Sequence, residues 1–176
     1  MTDRLFFDTD CLSSFLWVGQ ENLLLQLYQG RIVLPKQVFD ELSHPSISHI
    51  KEKIEALHAD GKVVRSEILL STEEYEIYHA LAISPPAGEK PIGKGEAAAL
   101  ALAKVNKGIV ASNNLRDVMK YVEKFELEHI TTSDIMVLAF SEGLIDETLG
   151  NSIWRNMIQR RRMLPTATFS DYLKSR

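Results

Sequence analysis

Arg4-Leu5-Phe6-Phe7-Asp8-Thr9-Asp10 joins an unbroken apolar run to two carboxylates one residue apart. Leu5 to Phe7 is too short for a helix and does not alternate, so it reads as a strand buried on both faces. Asp8 then stands where that strand leaves the sheet, at the edge where open α/β sheets hold ligands. A carboxylate is costly to keep there unless something cationic faces it. Other polar residues stand at comparable exits. Glu41 follows a second strand, Glu96 heads an alanine-rich helix, Asn113 and Asn114 follow a fourth strand, and Asp117 lies one helical turn further on. In one crevice such carboxylates repel and raise each other's pKa. Oxygen-rich clusters of this kind suit Mg2+ or Mn2+. One or two such ions beside a phosphodiester activate water and stabilise the leaving oxygen.

A parallel sheet would bring those exits to one edge. Hydrophobic spacing predicts strands over 5–7, 31–34, 62–65, 108–112 and 129–131. Helices are expected over about 11–18, 21–29, 36–42, 47–60, 71–83, 93–103, 115–125, 134–141 and 147–161, with a loop over 84–91. Gly19, Gly30, Gly61 and Gly143 read as stops, and Pro35 suits the first turn of the third helix. Asp10, Ser71 (with Glu74 as a capping box) and Ser133 or Thr132 read as helix caps. Beyond Pro165 a tail is expected, in which Phe169, Tyr172 and Leu173 form a small apolar clamp. Strands alternate with helices throughout. The class is therefore α/β, in three layers, with a mainly parallel central sheet of about five strands and right-handed crossovers.

The 176 residues suffice for one domain with a proper core, and no repeat or boundary divides 1–176. A net charge of -4 gives no global attraction for nucleic acid, so such binding needs a local patch or metal ions that reverse the sign of an acidic pocket. The single cysteine, Cys11, excludes an internal disulfide framework and a cysteine-rich zinc site, and fits a reducing compartment. There is no signal peptide and no apolar run long enough for a bilayer, so a cytoplasmic protein without membrane association is expected.

In order, Phe7-Asp8-Thr9-Asp10, Leu34-Pro35-Lys36-Gln37-Val38-Phe39-Asp40-Glu41-Leu42, Gly93-Lys94-Gly95-Glu96-Ala97-Ala98-Ala99, Ile109-Val110-Ala111-Ser112-Asn113-Asn114 and Ile130-Thr131-Thr132-Ser133-Asp134, with Gly143-Leu144-Ile145, form a recognisable series. It resembles the PIN domain, the fold of many metal-dependent ribonucleases, including toxins of bacterial toxin–antitoxin pairs. The motif-bearing part is 4–145, followed by a C-terminal helix and tail over 146–176. By position, Asp8 matches the family's first metal-binding aspartate, Glu41 its first glutamate and Glu96 its second acidic position. Ser112 matches the small hydroxyl residue before a final acidic pair. Here the chain departs, with Asn113-Asn114 where the family carries aspartate. An amide offers a metal one neutral oxygen and no charge, so metal affinity should fall. Asp117 is a candidate to compensate.

The resemblance implies Mg2+ or Mn2+ held by Asp8 and Glu96, with Asn113, Asn114 or Asp117 completing the site. Asp8, Glu41, Glu96 and Asp117 would be catalytic, with Ser112 and Lys94 beside the substrate. It implies hydrolysis of single-stranded RNA, and as partners an antitoxin or other protein, or a second copy of the chain. The alternative function is a catalytically weakened relative that binds RNA or a protein without efficient cleavage. Simpler roles compete at each position. Asp8, Asn113 and Asn114 could cap or turn the chain, and Glu96 could serve the dipole of its helix. His44, His49, His58, His79 and His129 show no zinc spacing. Arg155, Arg160, Arg161 and Arg162 read as a solvated helix end, with RNA or antitoxin contact as the other reading. Trp17 and Trp154 read as core or interface residues.

Overall fold

The structure is a computed structural model in which residues 3–176 are described. Its centre is β1 (Leu5–Phe7), fully buried as its apolar run requires. The pleat sends Leu5 and Phe7 into one core and Phe6 into another on the opposite face. Four strands flank it: β2 (Ile32–Pro35), β3 (Val64–Ser66), β4 (Ile109–Ala111) and β5 (Glu128–Ile130). Every pairing is parallel, in the order β3-β2-β1-β4-β5, with Leu5 opposite both Ile32 and Ile109.

Helices cover both faces, giving three layers. On one side lie α5 (Glu73–Ala82), α6 (Lys94–Asn106) and α7 (Leu115–Phe125), packed around Phe6, Val33 and Val110. In α6 the alanines 97, 98, 99, 101 and 103 are wholly buried. With no atoms beyond Cβ, they let the helix lie close to the sheet. On the other side are α1 (Thr9–Leu16), α2 (Glu21–Leu27), α3 (Lys36–Leu42), α4 (Ser48–Ala59), α8 (Thr132–Ser141), α9 (Glu147–Gln159) and α10 (Phe169–Lys174). Among the described residues, no helix is long and apolar enough to cross a membrane.

Several local expectations shift. Pro35 ends β2 and stands just ahead of α3 rather than inside its first turn. Thr72, not Ser71, caps α5, and Thr131, not Thr132 or Ser133, caps α8 in a capping box with Asp134. The helix expected to start at 47 opens as a single 3-10 turn, Pro45–Ile47, before α4. The tail is a helix, α10. Phe169 is fully buried against Trp154, and Trp154 also packs on Tyr172 while its Nε1 donates to the Thr166 carbonyl at 2.9 Å.

Gly150 sits inside α9, where alanine has the better helix propensity. A Cβ there would stand 2.3 Å from Cδ1 of Phe169. Gly150→Ala should therefore destabilise the fold by about 1–3 kcal/mol through overpacking, despite the propensity gain. Urea unfolding measures it. A stabilised variant would mean that α10 does not dock as described.

Candidate active site

The two neighbours of β1 belong to different halves of the chain, β2 on one side and β4 on the other. The crevice outside the carboxyl ends of β1 and β4 is a topological switch point, the usual ligand position in such sheets. A notch of about 260 Å3 opens there. Asp8, Asp10, Glu41 and Glu96 line it together with one cation, Arg162.

Asp8 follows β1 directly and is only 1% exposed. Its amide donates to the Ala111 carbonyl at 2.9 Å, which fixes it against β4. Its Oδ1 accepts from Cys11 N at 2.7 Å and caps α1, so Asp8 rather than Asp10 is the helix cap. Among the described residues, Oδ2 is buried with no hydrogen-bond partner. Burial pushes the Asp8 carboxyl up to about 7; the neighbouring Ser112 hydroxyl, close enough to favour the charged form although it makes no hydrogen bond of good geometry to Oδ2, and the Cys11 amide pull it part of the way back, and Asp10 and Glu96 raise it further.

Glu41, on α3, accepts a hydrogen bond from the Thr9 hydroxyl. Gly95 lets α6 approach this pair: a Cβ there would lie 3.0 Å from Thr9 Oγ1 and 3.5 Å from Glu41 Oε2. The Gly93-Lys94-Gly95 stretch is thus a close-approach device as well as a helix start. Glu96 accepts from Gly93 N at 2.9 Å through Oε2, which supports the first turn of α6. Its Oε1 accepts from Asn114 Nδ2 at 2.7 Å.

The asparagines have defined orientations, because each amide oxygen meets a backbone donor. Asn113 Oδ1 accepts from Thr132 N at 2.8 Å, and Asn114 Oδ1 from Asp117 N at 3.3 Å, capping α7. Nitrogen, not oxygen, therefore faces the carboxylates. Asn113 Nδ2 donates to Asp10 Oδ2 at 3.2 Å, and Asn114 Nδ2 donates to Asp117 Oδ2 at 2.9 Å as well as to Glu96. This differs from the expectation that both would offer oxygens to a metal. The physical reason is that the backbone N–H groups at the starts of α7 and α8 take those oxygens first. Among the described residues, the Asn114 amide is what joins Asp117 to Glu96.

Ser112 is wholly buried and its Oγ accepts from Asn114 N at 3.2 Å, so it supports Asp8 and the turn rather than reaching substrate. Lys94 is exposed in the first turn of α6 and is not among the residues lining the notch. None of the five histidines lines it either. Arg162, whose place in a basic cluster suggests a solvated helix end, instead lines the notch. Its Nη1 donates to Asp10 Oδ1 and to Ser13 Oγ, both at 3.1 Å. Nothing local in the sequence signals this, because the partners are far apart along the chain.

Among the described residues, no three Asp, Glu, His or Cys side chains converge closely enough to hold a metal ion between them. The feature that fits a cation is the partnerless Oδ2 of Asp8, with Asp10 and Glu96 near enough to raise its pKa.

Because burial raises the Asp8 pKa, the folded chain keeps a proton between about pH 4 and pH 7 that the unfolded chain has lost. Its contribution to stability is full below that window and is lost as pH rises through it. His129, whose pKa burial lowers, works in the opposite sense below its ordinary value of 6.5. Comparing native and Asp8→Asn protein at each pH isolates the carboxyl. Asparagine retains the cap, so Asp8→Asn should be more stable than native at pH 8 by about 1–3 kcal/mol, with the gap shrinking toward pH 5. Denaturant unfolding in chelator checks this, and a pH-independent difference would exclude Asp8 as the titrating group.

A family model described as a PIN domain matches residues 4–175, beyond the 4–145 stretch that carries the motifs. Among curated proteins, none matches the chain. The match spans nearly every residue, and it agrees with the five-stranded parallel sheet between helical layers. The chain therefore belongs to the PIN domain family, within the nuclease superfamily.

Proposed function

We propose that the protein is a divalent-cation-dependent ribonuclease that hydrolyses phosphodiester bonds of single-stranded RNA. The observation that carries this reading is the buried Asp8 carboxylate, with one oxygen unpartnered, in a notch shared with Asp10, Glu41 and Glu96 at the switch point of the sheet. Asp8 and Glu96 would hold Mg2+ or Mn2+, whose chemistry at such a site is to activate water and neutralise charge on the phosphate. The chain's own groups orient the site. Cys11 N and Ala111 O fix Asp8, the Thr9 hydroxyl holds Glu41, and the Asn114 amide holds Glu96. Water is excluded beneath Asp8 by Ser112 and the fully buried end of β4.

A second reading has its own support. Asn113 and Asn114 point N–H groups at Asp10, Glu96 and Asp117, so uncharged donors already satisfy part of the negative charge that would draw a cation. Under that reading the protein binds RNA or a protein partner and cuts poorly.

Incubation of single-stranded RNA with Mn2+ separates the two. An active native protein should lose about 100-fold or more of its rate in Asp8→Asn, because Asp8 would hold the cation that neutralises the charge on the phosphate. Silence in the native protein, with cleavage gained in Asn113→Asp, would favour the second reading. A toxin role within the first reading requires that expression of the chain alone arrest growth. Normal growth with soluble protein present would remove that role.

A further inference from the structure

Helix α9 ends in a tight reversal. Arg161 N donates to the Ile158 carbonyl and Arg162 N to the Met157 carbonyl, each at 2.9 Å, with Arg161 at φ +60°. That left-handed position usually holds glycine. Lys107 and Glu126 close α6 and α7 in the same conformation, so the backbone alone marks no site. What distinguishes this turn is where it sends consecutive side chains. Arg160 lies over the Trp17 ring at 5.9 Å. Arg162 enters the notch, held through Nη1 by Asp10 and Ser13 and through Nε by the Arg160 carbonyl at 3.2 Å. Its Nη2 makes no hydrogen bond among the described residues.

Arg161 goes elsewhere. With Met163, and with Leu115 and Arg116 from the head of α7, it lines a second groove of about 630 Å3. Asp10 and Glu96 line both spaces, so groove and notch adjoin across these two side chains. The groove pairs guanidinium groups with apolar surface that is open to solvent: Met163 is 88% and Leu115 49% exposed. A ligand matching that pairing carries spaced negative charges and flat apolar faces, as an unpaired nucleic acid strand does. The net charge of -4 supplies no general attraction, so the arginines must supply a local one.

We propose that this groove holds a single strand of RNA as it enters the notch, with Arg161 and Arg116 on its phosphates, Met163 and Leu115 against its bases, and the free edge of Arg162 toward the phosphate nearest Asp10. This rests on the reading of the notch as a site acting on RNA, but strand holding needs no cation and can be measured without cleavage. Fluorescence anisotropy of a labelled single-stranded oligouridylate in chelator reads it directly. Arg161→Gly is the informative variant, because glycine suits the backbone and the melting temperature should hold or rise. Arg161→Gly and Arg116→Ala should each weaken binding about three- to tenfold at low salt, and each should reduce the slope of log affinity against log salt by about 0.7. Unchanged affinity in the folded variants overturns the proposal, as does a native protein that fails to bind. Equal binding of a polyglutamate peptide overturns it too, and marks the groove as a protein-docking surface. Strand binding that responds to both variants without any cleavage in Mn2+ would sink the nuclease reading and leave the groove standing. Cleavage with binding indifferent to both variants would do the reverse.

Discussion

One buried carboxylate sets the terms for the rest of the molecule. β1 is hydrogen-bonded on both sides, so its end cannot swing outward to wet Asp8. The helix begins at once and takes Oδ1 as its cap, which satisfies half of the group and leaves Oδ2 buried without a partner among the described residues, on a residue that lines the notch. An isolated polar atom buried in this way costs about 1–3 kcal/mol in typical proteins. Around it the chain has placed a glycine where α6 comes close, a serine beneath, and one guanidinium across the opening. A stable protein could avoid that cost by ending β1 in a neutral residue. The arrangement is therefore best understood as a site whose geometry is maintained against its own electrostatics.

The asparagines manage charge without adding any. Asn113 spans from the end of β4 to the start of α8 and donates to Asp10, so it couples sheet, helix and notch in one amide. Asn114 does the same for Glu96, Asp117 and the start of α7. Carboxylates at these positions would have to turn an oxygen toward other carboxylates, which repels unless a cation intervenes. The amides remove that dependence. They give a notch that can exist unassisted and that holds a cation less strongly than an all-carboxylate one.

Much of this is legible from residue order. The unbroken Leu5-Phe6-Phe7 run requires a doubly covered strand, and the helices at 36–42 and 115–125 begin and end where hydrophobic spacing places them. The gathering of residues 8, 41 and 96 follows from a parallel sheet with one common edge. The caps lie one or two positions from where residue type alone puts them, because Asp8 and Asp10, Ser71 and Thr72, or Thr131 and its neighbours are equally able to cap. The exact end of the preceding segment decides between them. Gly150 and Arg162 were illegible for another reason. Their partners, Phe169 and Asp10, are set by packing between distant segments, and no local pattern encodes that.

Arg162 reaches Asp10 across 152 positions of the chain. The notch consequently draws its walls from segments as far apart as Asp8, Glu41, Glu96 and Arg162, and α9 must dock before the last of them is in place. A ribosome making this protein exposes the first strand and its acidic end long before the guanidinium that closes over them has emerged. The notch acquires its finished form only after Arg162 has left the exit tunnel and α9 has docked.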